Sequence, residues 1–150
     1  MRESVLHEEL ESYHAVIEEI NLHRHKEMNE QFNIVRKCRT EFEFEGDSKG
    51  FEGVWAIHDH EQDFYLLALC EGNRCRQKEH MKRGNGRIVV MKLNETDTSC
   101  KWDTVKMIEV PRDAYFADYS AMAVRDDGYV AITSQEDSMM WVGRLFGKDH

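Results

Sequence analysis

Three groups of residues in this sequence have the types and spacing that could do chemistry. Cys70, Cys75 and His80 read C-x4-C-x4-H, a donor set that zinc accepts. Structural zinc sites usually have a tighter first pair and a fourth ligand at a defined spacing; neither is present, so a zinc site is not expected. His58 and His60 flank Asp59, and a His-x-His pair on a strand could chelate a metal. Here it falls in HDHEQD, which reads as a solvated turn. Residues 74–87, RCRQKEHMKRGNGR, gather six bases against the single acid Glu79 and offer Arg74, Arg76, Lys82 and Arg83 to an anion. The plainer reading of that run is a surface loop. No aromatic ring is interleaved to stack on bases, which argues against nucleic acid. Nucleophilic catalysis has no support, because there is no G-x-S-x-G elbow and no Ser–His pair stands out. Gly84-Asn85-Gly86 reads as a turn before a strand, since no helix follows it to make a phosphate loop.

The elements that must position these residues are set by composition and period. At 150 residues, 41% hydrophobic and 33% charged, the chain has the makings of one globular domain. Net charge is −9, and all of it resides in residues 1–63, with 16 acids against 7 bases, while 64–150 balance at 13 and 13. Such a balance disfavours a general nucleic-acid binder. No apolar run is long enough to span a membrane, and MRESVLHEEL lacks the apolar core of a signal peptide, so a cytoplasmic location is expected. Four cysteines in a chain of this length do not read as a disulfide framework, and Cys38 is expected as a buried inert thiol.

Alternation with period two is the strongest local signal. In 32–44, FNIVRKCRTEFEF, the even positions are apolar or small apart from Arg36, where the strand is expected to break. Further short apolar runs follow in GFEGVWAI, FYLLALC, GRIVVMKL, WDTVKMIEV (closed by Pro111), YSAMAV, YVAITS and MMWVGRL, separated by polar turns. That is an all-β pattern. At the N-terminus, Leu6, Leu10, Tyr13, Ile17 and Ile20 are spaced 4, 3, 4 and 3, one face of a helix, which predicts helix through residue 12 and leaves 13–20 open between helix and strand. Trp55, Trp102 and Trp141 fall on separate strands as packing residues.

The chain also repeats itself. EGVWAIHDHEQDFYLLALCEGN (52–73) aligns with SAMAVRDDGYVAITSQED (120–137) as strand, aspartate-bearing turn, apolar strand and polar segment. These two segments resemble blade openings of the β-propellers that include regucalcin/gluconolactonase, phytase-like and SdiA-regulated proteins. The resemblance covers roughly 50–145. It implies a mainly β fold, an incomplete propeller of about two and a half four-stranded blades: 13–45 the outer strands of a first blade, 51–110 a complete blade, and 119–145 a partial one. A ring so incomplete implies a homo-oligomer or further chain to close it. In the lactonase-like members a divalent metal such as calcium sits at the axis. Glu52, in the Glu-Gly pair, is the position that matches; Ser120 and Ser134-Gln135 depart from the usual Asn and Asp. Glu71, Asn73, Asp118, Glu136 and Asp137 are oxygen donors that the fold would place on the same face, or residues that satisfy turns. The reading that follows is a non-catalytic module binding a ligand or partner on its loop face. The alternative is a metal-dependent hydrolase of lactonase or phosphoesterase type, active only in a completed ring.

Overall fold

The computed structural model describes residues 13–23, 31–45, 50–75 and 82–144. The helix expected over 1–12 lies outside them, as do Arg76 and His80. The described residues are mainly β. Nine strands follow one another: β1 (Tyr13–His23), β2 (Gln31–Phe44), β3 (Phe51–His58), β4 (Phe64–Cys70), β5 (Arg87–Glu95), β6 (Cys100–Glu109), β7 (Ala121–Val124), β8 (Tyr129–Ser134) and β9 (Met139–Arg144). Among the described residues the one other regular element is a short 3-10 turn, Asn73–Cys75. Tyr13, Ile17 and Ile20 lie on β1, so their helical spacing does not produce a helix. No helix among the described residues is long and apolar enough to cross a membrane.

The strands form two sheets. One has the order β1-β2-β6-β5-β4-β3 and the other β7-β8-β9. Strands β3 to β6 are a four-stranded antiparallel meander, as the sequence pattern of 51–110 requires. The hairpin β1–β2 differs from expectation. It joins the same sheet instead of a separate preceding one, through a parallel pairing with β6 at Arg39–Lys101 and Thr40–Trp102. Beyond that pair, the Thr104 N–H donates to the Glu41 carboxylate (2.8 Å) and not to a strand carbonyl. Strand β2 continues through Arg36, but its pairing with β1 is irregular there, passing from Arg36–Glu19 to Ile34–Ile20 with Val35 bulged out; the Arg36 guanidinium is held between Glu19 and Glu95. Paired charge is what lets a base occupy the apolar phase of the alternation.

Two apolar cores lie on opposite faces of the meander. On one, Leu67, Leu69 and Ile88 pack against Met122, Val124, Val130 and Ile132 of the three-stranded sheet, joined by the half-buried Trp55 and Trp141. On the other, Leu66, Ala68, Val89, Met91 and Trp102 meet Cys38 and Phe44 of β2, with Tyr13, Ala15 and Ile17 of β1 over them. The six-stranded sheet therefore curls, and its own hairpin covers its second face. Odd residues of β4 face one core and even residues the other, which is why FYLLALC reads as a continuous apolar run.

The cysteine expectations are overturned. Cys38 is bonded to Cys100, tying β2 to β6 across 62 residues, and Cys70 is bonded to Cys75 across five. Both pairs have Cα atoms 5.2 Å apart, inside the range a disulfide spans. None of the four is a free thiol. Cys38 is buried, as its alternation predicts, but as half of a bridge to the neighbouring strand.

Candidate functional site

The two ends of the sheets are unlike. At one end β3–β4 and β7–β8 turn tightly through His58–Asp63 and Arg125–Gly128. At the other end lie the start of β3, the ends of β4, β6 and β8, the starts of β5, β7 and β9, and the long segments that join them. Nearly every candidate residue named from the sequence and described by the structure lies at this second end.

Asn73 is fully buried and works as a brace. Its Nδ2 donates to the Ala117 carbonyl (2.7 Å), and its Oδ1 accepts the Asn85 N–H (2.7 Å), locking three segments together. The backbone does the same nearby: Glu71 N–H donates to Gly50 O, Tyr119 N–H to Glu71 O, and Val110 N–H to Gly86 O. Tyr119 is completely buried. Its hydroxyl donates to Ala114 O and accepts the Gly86 N–H, both at 3.0 Å, while burial pushes its phenol pKa up. Gly86 is required here, because a Cβ on it would sit 2.4 Å from the Tyr119 ring.

The acidic candidates are committed in the same way. Asp118 accepts from the Ser120 and Ser134 hydroxyls and from the Glu136 N–H (3.2 Å). Asp137 accepts the Ala117 N–H (2.7 Å), an ion pair from Arg83, and the Ser134 hydroxyl (3.3 Å). The Ala117 N–H, followed by Arg83, holds its carboxyl below the usual range. Arg83 is thus a fastener rather than a waiting anion contact. Ser120 and Ser134, which depart from the propeller pattern, here hydrogen-bond Asp118; Ser120 Oγ also accepts the Gln135 N–H (2.8 Å).

Glu52, second residue of β3, is exposed and not partly desolvated as the resemblance implies. Its neighbour Gly53 is where the strands crowd: a Cβ there would meet the Met122 backbone N at 2.6 Å, so β3 and β7 approach backbone to backbone. Glu136, Arg74 and Lys82 are exposed. At the opposite end, His58 is exposed and stacks on Phe64 (4.6 Å between centroids). Asp59, Glu61 and Asp63 come close enough together to hold an ion, a cluster not singled out from the sequence. Asp59 there accepts two backbone N–H groups and Asp63 pairs with Lys92, which accounts for the cluster as turn chemistry.

Beside the Cys70–Cys75 bridge, a cleft of about 530 Å³ opens between the end of β2 and the loops. Its walls carry Arg74 and Arg87 against Glu43 and Glu45, with Phe42 and Met107 as the apolar part. Arg87 is fixed by the Asn85 and Gly86 carbonyls and by Glu109. Of the four basic candidates, Arg74 alone lines this cleft among the described residues. The disulfide at its side was the missing signal: two cysteines five apart, around Gly72-Asn73 at a strand end.

No protein-family model matches the sequence, and neither a curated protein nor a solved structure matches it.

Proposed function

We propose that this chain is a non-catalytic binding module of the β-propeller kind, which holds a small polar ligand or a peptide segment at its loop end. Support for the propeller part is the meander β3–β6 stacked on the meander β7–β9, with β3 and β7 closest together and each opening a copy of the internal repeat. The observation that carries the binding part is the cleft lined by the exposed Arg74 together with Glu43, Glu45 and the fixed Arg87. Loops fixed on a rigid sheet are where recognition residues usually lie, and mixed charge suits a ligand bearing both signs. The hydrolase alternative needs three convergent open donors around a metal. At this end Asn73, Asp118 and Asp137 already serve the protein's own N–H and O–H groups.

Two disulfides favour residence in an oxidising compartment over the cytoplasm expected from the N-terminus, because cytosolic thiols are kept reduced.

Backbone amide mapping by NMR with free zwitterionic amino acids and with calcium as probes tests the reading. Shifts that cluster on 43–45, 72–75 and 85–87 with amino acids, and that vanish in Arg74→Ala, are the expected result. Saturable calcium binding by calorimetry, lost in Glu52→Gln, would overturn it in favour of the hydrolase alternative.

A further inference from the structure

We infer that the Cys70–Cys75 disulfide is a redox latch, which sets whether Arg74 stands in the wall of the loop-end cleft. The latch rests on the loop-end reading for its purpose and on the backbone around the bridge for its chemistry. Cys75 and Arg74 both line the cleft. The bridge brings the chain back to the end of β4 over a separation of five residues. That turn is closed by the Cys75 N–H, which donates to the Gly72 carbonyl at 3.1 Å. So short a closure forces the backbone. Arg74 lies at φ 54° and Cys75 at φ 57°, the only adjacent pair of non-glycine residues in the left-handed region among the described residues. Side chains are disfavoured there because Cβ crowds a neighbouring carbonyl oxygen. Asn is among the few residues that tolerate it, yet Asn73 sits one place earlier, as the brace.

Opening the latch is a two-electron exchange with a dithiol. Cys75 reaches the cleft, whereas Cys70 is buried at the strand end. A thiolate of the reductant attacks the Cys75 sulfur, the S–S bond breaks, and Cys70 leaves as a thiolate that takes up a proton. The reductant's second thiol gives up its proton and displaces Cys75, which is protonated in turn. The reductant departs as its own disulfide. With the bridge gone, Arg74 and Cys75 are free to return to negative φ. The Arg74 N–H stays pinned to the Asn85 carbonyl at 2.7 Å, so rotation about φ swings the side chain and leaves the loop in place. The other bridge is built differently. Cys100 is half-buried and more accessible than Cys75, so access alone would open Cys38–Cys100 first. But β2 and β6 pair at the adjoining residues, Arg39–Lys101 and Thr40–Trp102, and keep those two thiols side by side to close again. Cys75 lies on no strand, and strain parts it from Cys70. Strained bridges are the readily reduced ones.

Titration with reduced against oxidised dithiothreitol, quenched by alkylation and read by peptide mass spectrometry, follows each bridge separately. Cys70–Cys75 should open at a reductant ratio roughly tenfold lower than Cys38–Cys100, with the far-ultraviolet β signal unchanged. Arg74→Gly and Arg74→Ala remove the same side chain, but only glycine is unstrained at positive φ. The glycine variant should therefore need a several-fold higher ratio to open than the alanine variant. In the opened parent chain, backbone NMR shifts should place Arg74 at negative φ. Free zwitterionic amino acids should then bind about tenfold more weakly, as loss of one charged contact implies. Equal midpoints for the two bridges, or for the two variants, would overturn the latch, as would an Arg74 that keeps positive φ after opening. Binding unchanged by opening would overturn it and leave the loop-end reading standing. Should amino acids bind neither form, the loop-end reading fails, and the titration with the Arg74 shifts decides the latch alone.

Discussion

Strands β3–β6 and β7–β9 are both antiparallel meanders, yet the first is covered on two faces and the second on one. Their sequences do not announce the difference. FYLLALC in β4 and YVAITS in β8 are both near-continuous apolar runs, the pattern of a strand buried on each side. In β4 the pattern is fulfilled within the chain, by the β1–β2 hairpin on one side and β7–β9 on the other. In β8 half of it is left unfulfilled. An apolar run records how many faces a strand is built to bury, and not whether the same chain supplies the cover.

The largest expected effect comes from loosening the cover of the first sheet. Replacing Cys38 and Cys100 by serine removes a bridge closing 62 residues and should cost about 4 kcal/mol, read as a lower urea midpoint. An unchanged midpoint would mean that the hairpin is held by packing alone. Next is the core between the two sheets: Leu69→Ala should cost about 3 kcal/mol, since the site is closed on every side. A loss under half that value would indicate that the two meanders separate easily. Opening Cys70–Cys75, which closes only five residues, should cost about 2 kcal/mol. Its effect should be local, and amide exchange should rise around 71–75 but not on the hairpin.

Acid should act at the loop end that joins the two sheets. The folded-state pKa of Asp137 is lowered by the Ala117 N–H and by Arg83. The stability it provides is therefore complete above the unfolded carboxyl value of about 3.9 and is lost as pH falls through the lower folded value. Denaturation midpoints between about pH 5 and pH 2 should fall more steeply for the parent chain than for Asp137→Asn. Parallel curves would remove Asp137 from the account. The smallest effect belongs to the uncovered face. Val142→Lys should change the stability of dilute protein by less than about 0.5 kcal/mol, because that side chain is already in water. A loss like that of Leu69→Ala would show that the face is covered after all.

Period-two alternation made the strands legible, and with them the β3–β6 order, because each hairpin is settled by neighbouring residues. Packing roles for Trp55, Trp102 and Trp141 were legible for the same reason. Tyr13, Ile17 and Ile20 misled because a step of 4 keeps two residues on one face of a strand as well as of a helix; the step of 3 puts Ile20 on the other, exposed side of β1. The β2–β6 pairing and its disulfide join positions far apart in the chain, and no local pattern encodes such a contact. Most of the described candidate residues lie at one end of the sheets. The sequence left their roles open between ligand and turn brace, since a carboxylate that braces a backbone N–H and one that awaits a ligand look alike in sequence.

The parallel pairing of β2 with β6 also sets a timetable. Cys38 leaves the ribosome 62 residues before Cys100. At ordinary elongation rates of about 5–20 residues per second, that is roughly 3–12 s. Through that interval the nascent hairpin has neither its neighbouring strand nor the core it is to cover, so Phe42, Phe44 and Ile17 stand open to any chaperone that reads apolar strands. Synthesis, and not only thermodynamics, makes this first-made hairpin wait for β6 before it can dock.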